Sequence, residues 1–479
     1  MANRHQSTRI VLYFALSLIG YAVLQFDFLG YGMIQFCLSV IFVVTATFEY
    51  KRAKYPFLVY PPAVFTIYVL INNIFSGLWY FALDYSTGVD EYGNYMLQFE
   101  VADKYIVEGT WYSILAVHVL WLVFYFFPDS GQSNSGTQGR VRLPIAVIYL
   151  LYGISIASFI IGVNLGVLGY TASGEDVRFL TYITFGFKLG LLAIIILAIY
   201  DYDDSKRRML LYLGIILNVG MGFLYGAKSV AVMPVVLFIV ALYFAGREIK
   251  KKYIVAFGLG VVAAFIVIEP LRIYFDSTQK GAEVKDVRKL ATLYYEARTS
   301  GDSQASYLRA FFERHSYVVP LAKTIEFSDE REYYHSEEWK NLALAPLYGT
   351  IPRFIWESKP LSNFGQWASV NIFGLPDTSH TGITPQGYAY MVWRVPGIIL
   401  FFSLGALIQR IIFNTLYLNK KYIPLYILMY LEIGYVAVVP YTFIAGTIQQ
   451  LILLTPFILL LNYFSGATEA HAERLSYGN

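Results

Sequence analysis

The chain has 479 residues, of which 57% are hydrophobic and only 14% charged. A soluble globular chain carries about a quarter charged residues, so this composition excludes an ordinary water-soluble enzyme and predicts an all-α polytopic membrane protein. The net charge of +3 names no polyanionic partner, and the single cysteine, Cys37, excludes an intramolecular disulfide and Cys/His metal-ligand spacing.

A bilayer core of about 30 Å takes about 20 apolar residues per helix. The N-terminal MANRHQSTR leads into an apolar run without a small-residue cleavage site and reads as a retained first helix. About twelve transmembrane helices are predicted, over 9–26, 29–48, 57–82, 109–128, 144–168, 179–200, 209–225, 229–246, 253–272, 396–418, 422–440 and 442–464. These runs are continuous rather than alternating, which argues against membrane strands. Lys and Arg fall mostly in every second connection: Arg4 and Arg9, Lys51, Arg52 and Lys54, Arg140 and Arg142, Lys206 to Arg208, Arg247 and Lys250 to Lys252, Lys420 and Lys421, and Arg474. The short loops between them hold only Lys104, Arg178 and Lys228. Positive residues concentrate on the cytoplasmic side of short loops, so both termini are expected inside. The loop around GQSNSGTQG (131–139) is polar and rich in Gly and Ser, as a mobile connection is.

One region breaks the pattern. Residues 1–272 hold spans one to nine, 396–464 hold the last three, and 465–479 form a cytoplasmic tail. Between them, 273–395 is a large loop placed outside, too long to be structureless. DVRKLATLYYEAR has helical apolar spacing, and SQASYLRAFFERHSYVVPLAKTIEF reads as a helix kinked at Pro320. Ser336 before Glu337 and Glu338 starts another helix. Thr384–Pro385 starts a third, with Thr as N-cap and Pro at the first helical position, running into the tenth span. The loop is thus a helical, outward-facing cap, with the acidic loop LDYSTGVDEYGNYMLQFEVADKYIVEG beside it.

Ionisable groups within or at the edge of spans are costly and mark sites by default. Lys188, Lys228, Glu269, Arg272 and Glu432 meet that description, with Arg178 nearby. They fit two readings: snorkelling or internal pairing, such as Glu269 with Arg272, or a cationic pocket for an anionic lipid headgroup. Arg and Lys suit a diphosphate through charge-assisted hydrogen bonds. In the cap, TIPRFIWESKP sets Arg353 and Lys359 about Trp356 and Glu357 between prolines, and Trp367 follows. Its aromatics suit sugar faces or the membrane interface. Among six histidines, His118 reads as helix packing, and His315, His335 and His380 lie in the cap. No HExxH, phosphate-binding loop, GxSxG, dinucleotide fingerprint or nucleic-acid motif occurs, so neither metal, cofactor nor nucleic acid is expected.

GAKS opening a span, IPRFIWESKP, then GITPQGYAY and a final set of helices, on a polytopic chain with one large late outer loop, resemble the bacterial O-antigen and oligosaccharide repeat-unit polymerases, the Wzy-type family. The local likeness covers 226–229 and 349–397. The resemblance implies a GT-C-like glycosyltransferase of the inner membrane. It would transfer a growing glycan from undecaprenyl diphosphate to the non-reducing end of a new lipid-linked unit, with a Wzz-type chain-length co-polymerase as partner. It implies diphosphate binding by Arg353, Lys359 and Lys228; by their own position and charge Arg272 and Arg178 are expected to join them, and Trp356 and Trp367 are expected to stack on glycan. His380 is the first choice of base and Glu357 the second. Where many members carry an acidic residue after the later Gly, this chain has Tyr388 after Gly387. Arg-x10-Gly patterns, which describe some of these polymerases, recur at Arg9, Arg142, Arg247 and Arg394, three of them on the cytoplasmic side, and carry little weight. Two other readings stay open: an O-antigen ligase, with the same donor and a different acceptor, and a lipid-linked oligosaccharide flippase.

Overall fold

The structure is a computed structural model; it describes residues 2–82, 101–127, 143–165, 168, 180–278, 317–332, 338–352, 355–356, 364–375, 383–435 and 440–476. Every regular element among them is helical. In chain order these are α1 (Ala2–Leu24), α2 (Tyr31–Arg52), α3 (Pro61–Ala82), α4 (Asp103–Phe126), α5 (Ile145–Asn164), α6 (Leu180–Tyr200), α7 (Ser205–Tyr225), α8 (Lys228–Phe244) and α9 (Lys251–Thr278). There follow α10 (Val318–Glu330), α11 (Glu338–Thr350), α12 (Phe364–Asn371), α13 (Pro385–Ile412), α14 (Ile423–Tyr435) and α15 (Pro440–Ser476). A helix lies on each of the twelve apolar stretches. Among the described residues nine are long and apolar enough to cross a membrane, and α8, α9 and α14 stand beside those nine.

The helix ends follow local chemistry. Pro61 and Pro62 open α3, where their missing N–H groups would have no helical partner anyway. Asp204 caps α7, accepting from the backbone N–H groups of Lys206 at 3.0 Å and Arg207 at 3.3 Å. Gly226, at φ +78°, ends α7 in the left-handed region that suits glycine. Thr384 caps α13 through the Gly387 N–H at 3.1 Å, with Pro385 next, as the sequence predicts. The helix predicted from Ser336 is present from Glu338; Ser336 itself lies outside the described residues. Of the helix expected to be kinked at Pro320, the part before Tyr317 lies outside the described residues. Pro320 itself falls in the first turn of α10, which begins at Val318 and has few N–H partners to lose there.

Two irregularities interrupt long helices. A π turn covers Leu70–Phe75 inside α3 and carries the buried Asn72 and Asn73. In α13 the backbone leaves the helix at Trp393 (φ −149°, ψ 24°) and Arg394 (φ 58°, ψ −144°). The segment up to Val392 is thereby a short buried helix, set off from the apolar run beginning at Val395.

Helix α4 is the centre of the bundle, packed by α1, α2, α3, α10 and α13. The chain from α5 to α9 forms a second group, and α14 joins the two through α3, α6 and α8. The second group packs backbone to backbone at Gly222 of α7, where any Cβ would run into Ala231 of α8. Gly109 of α4 similarly receives Leu321 of α10, which brings the cap helix down onto the span. The cap therefore sits at the N-terminal ends of α4 and α13. The opposite end is marked by Tyr200, at the end of α6, which donates to the Lys420 and Lys421 carbonyls at 3.3 Å just past α13.

Candidate active site

Three elements converge at the cap end: the first turns of α4, the end of α10, and α13 up to its break. The α10 end presents Ser328 and Asp329. The α13 segment presents Tyr390 and Arg394 from the same side. Arg394 donates through Nη2 to the Ser328 carbonyl at 2.6 Å, and its Nη1 lies 3.0 Å from Asp329 Oδ1. The Tyr390 hydroxyl donates to the same Oδ1 at 2.9 Å, and the Arg394 guanidinium lies 5.1 Å over the Tyr390 ring. Tyr112 of α4 packs on Tyr390, with centroids 4.7 Å apart. Glu108, one turn earlier on α4, has Asp329 and Lys104 as its charged neighbours. Asp329, Tyr390 and Arg394 are thus in contact where α4 and α13 enter the apolar bundle, with the charges of Glu108 and Lys104 near enough to act on the cluster.

The cluster is open on one side: the Arg394 and Asp329 side chains are 20% and 34% exposed. Its backbone is strained, because a positive φ with extended ψ is nearly confined to glycine and costs on the order of 1–3 kcal/mol elsewhere. The contacts to Ser328, Asp329 and Tyr390 hold Arg394 in that conformation. Gly397, one turn on, lies against the Ala389 carbonyl so closely that no Cβ would fit. Below the cluster, Gln386 Nε2 donates to Ser113 Oγ at 3.2 Å, while Gln386 Oε1 is buried without a hydrogen-bond partner. One turn before Asp329, Glu326 accepts from Lys323 Nζ at 2.6 Å and from the Ala102 N–H at 3.4 Å, tying α10 to the start of α4.

Of the residues predicted from sequence, Arg178, Arg353, Glu357, Lys359 and His380 lie outside the described residues. Lys228 is the first residue of α8, half-buried just after Gly226. Arg272 lies in the last turns of α9, its side chain outside the description. Ala231 of α8 packs with Ala264 and Ile268 of α9, so the antiparallel pair brings the Lys228 and Arg272 backbones to one level. Trp356 packs on Tyr348 of α11 at 5.5 Å, and Tyr348 in turn on Tyr441 of α15 at 6.0 Å. Burial pushes the Tyr348 phenol up. Trp367 of α12 meets Phe327 of α10 edge-on at 6.3 Å. Both tryptophans are half-buried and secure cap helices with one face.

Lys188 is not a lone cation. It pairs with Glu432 of α14, whose other oxygen accepts from Gln450 of α15. His118 packs as predicted: both ring nitrogens are hydrogen-bonded, to Ser17 and Thr45 at 2.8 Å each, and its ring stacks on Tyr13.

Sequence reading missed Asp329, Tyr390, Glu108 and Arg394 as a set. The available signal was Arg394, a cation two residues before a predicted span, the same criterion that singled out Arg272. No group of three potential metal ligands occurs among the described residues. No protein-family model, curated protein or solved structure matches this chain.

Proposed function

We propose that the chain is a membrane-embedded glycosyltransferase that polymerises lipid-linked oligosaccharide repeat units. The growing glycan would leave undecaprenyl diphosphate for the non-reducing end of a new unit, in the O-antigen class of surface polysaccharide. The observation that carries the reading is Arg394, held out of helical geometry beside Asp329, Glu108 and Tyr390 where the cap meets the spans. A guanidinium fixed at that level suits a diphosphate whose lipid tail lies in the bilayer, because the charge that develops on the leaving group meets a donor already in place. The neighbouring carboxylates supply candidates for accepting the acceptor hydroxyl proton, besides His380 and Glu357. The Wzy-type likeness of 349–397 adds Arg353 and Lys359 on the same cap, with Lys228, Arg272 and Arg178 as further cations. Trp356 and Trp367 each keep an exposed part for a sugar face.

In this reading the protein works in the bacterial inner membrane with its cap in the periplasm, a GT-C-like bundle of twelve spans, and a Wzz-type partner setting chain length. The donor is already activated by its diphosphate, so no nucleotide sugar is required. The O-antigen ligase shares donor and site and differs in acceptor. The flippase reading draws on a different observation, the Lys188–Glu432–Gln450 group, since ionisable groups within spans line substrate paths in transporters.

The test is reconstitution in nanodiscs with an undecaprenyl-diphosphate-linked repeat unit as sole substrate, read on a gel. A ladder of glycan lengths that is lost in Arg394→Ala and Arg353→Ala, each with unchanged elution on size exclusion, is the expected result. No ladder, but transfer once lipid A core is added, assigns the ligase. Neither product, with the unit crossing a vesicle bilayer, assigns transport and overturns the proposal.

A further inference from the structure

At the end of the bundle away from the cap, three tyrosine hydroxyls from three elements meet at one point. Tyr202 comes from the α6–α7 turn, Tyr212 from the second turn of α7, and Tyr253 from the first turn of α9. The Tyr253 hydroxyl is hydrogen-bonded to that of Tyr202 and lies 3.1 Å from that of Tyr212, and the Tyr202 and Tyr212 hydroxyls are 3.5 Å apart. The three rings rest on one buried residue, Phe238 of α8, with centroids 5.1 to 6.3 Å away. The hydroxyls are therefore fixed by the packing of four elements. Tyrosines that merely sit at a membrane interface have no need to converge.

The charges around them are unbalanced. Asp203 accepts both arms of Arg247, at 2.7 and 3.0 Å, Asp201 pairs with Arg207 at 2.6 Å, and Asp204 is the α7 cap. Arg208 and Lys252 make no ion pair among the described residues. Arg208 lies over the Tyr202 ring at 5.9 Å, Lys252 over the Tyr253 ring at 5.3 Å, and both charges act on the Tyr212 hydroxyl. Hydroxyl groups, two guanidiniums and an ammonium thus stand around the tyrosines, Arg247 lying 5.1 Å over the Tyr202 ring with Asp203 as its own partner.

We propose that this tripod binds a phosphate group of net negative charge, with the headgroup of an anionic lipid as one source and free phosphate as the other. The phosphoryl oxygens would accept from Tyr202 and Tyr212 and pair with Arg208 and Lys252. The site stands independently of the proposed activity, and its level, at the start of two helices and the end of a third, is where headgroups lie. Basic pockets between helix ends hold such headgroups in the same way.

The test uses the purified full-length chain in neutral detergent, with native mass spectrometry of dioctanoyl phosphatidic acid and dioctanoyl phosphatidylcholine, and inorganic phosphate as competitor. One saturable phosphatidic acid is expected, with phosphatidylcholine bound at least tenfold more weakly. Arg208→Gln should weaken phosphatidic acid at least tenfold. Tyr212→Phe, which keeps the ring on Phe238 and so keeps the packing, should weaken it about threefold to tenfold. Displacement by millimolar phosphate assigns free phosphate as a sufficient ligand; resistance to it assigns the lipid. Equal retention by wild type and both variants, or equal binding of phosphatidylcholine, overturns the proposal.

Discussion

Helix α4 carries a charged cluster at each end, and the two differ in how completely they are satisfied. Toward its C-terminal end Arg9 grips Glu49 with two bonds, at 2.9 and 3.2 Å, and lies 3.7 Å over the Tyr125 ring. Tyr13 also donates to Glu49, and His118 is held on both nitrogens. Arg9 is 7% exposed and Glu49 0%. At the cap end the ion pair is half-open, its arginine sits on strained backbone, and a second carboxylate, Glu108, stands beside the first. The first cluster ties α1 and α2 to α4, and its carboxylate has both oxygens in use. The second has groups left over, in reach of the surface. Saturation distinguishes a staple from a candidate site better than charge alone.

The largest expected effect breaks the staple. Glu49→Ala leaves Arg9 buried without its partner, which costs about 3–5 kcal/mol. A marginally stable bundle should then lose most of its monodisperse peak in fluorescence-detected size exclusion. Replacing both partners, Arg9→Met with Glu49→Leu, removes the buried charges together and should restore most of that peak. If the double variant is as damaged as the single, the pair does more than hold helices.

The cap cluster should respond in the opposite way. Asp329→Asn, which removes a candidate proton acceptor, and Arg394→Lys, which removes the guanidinium donors, should leave the melting temperature within a few degrees of wild type while transfer falls by about 100-fold or more. A fall in stability equal to that of Glu49→Ala, with activity per folded molecule unchanged, would make the cap cluster a second staple. A smaller effect separates catalysis from transport. Lys188→Met and Glu432→Gln disrupt the pair between α6 and α14, whose side chains are 31% and 42% exposed. Each should lower the melting temperature by a few degrees, and the double variant by less than the sum, because the two share one interaction. Unchanged glycan-ladder formation in both variants would detach the pair from the chemistry.

Sequence patterning located the helices well because a run of about 20 apolar residues needs no partner to be read. It located Thr384–Pro385 for a similar reason, since cap and proline chemistry are local. The candidate site was less legible because its contacts are distant in sequence. Asp329 lies 61 residues from Tyr390, and Arg394 lies 66 from Ser328. The break at Trp393–Arg394 hides in MVWRVPG, an apolar run in which only Arg394 and Pro396 disagree with a span. Arg394 came into view only through Arg-x10-Gly, a spacing that recurs by chance. The π turn in LINNIF has no such signal at all, since an apolar helix accommodates two asparagines on paper without showing where they go.

The smallest predicted effect bears on how the site is held. Thr384 fixes the first turn of α13, and that segment carries Tyr390 to Asp329. Thr384→Val keeps the shape and removes the oxygen that accepts from the Gly387 N–H, a loss of about 1 kcal/mol for a cap. Thr384→Ser keeps the oxygen and should retain stability. The segment is short and buried on every described side chain up to Val392, so a loosened first turn has little further helix to absorb the change. The Val variant should therefore lose several-fold in transfer while melting only a few degrees lower, and the Ser variant should lose neither. Equal activity in both would mean that Arg394 and Asp329 position Tyr390 without help from the cap, and the strain at Arg394 would then be sustained from α10 alone.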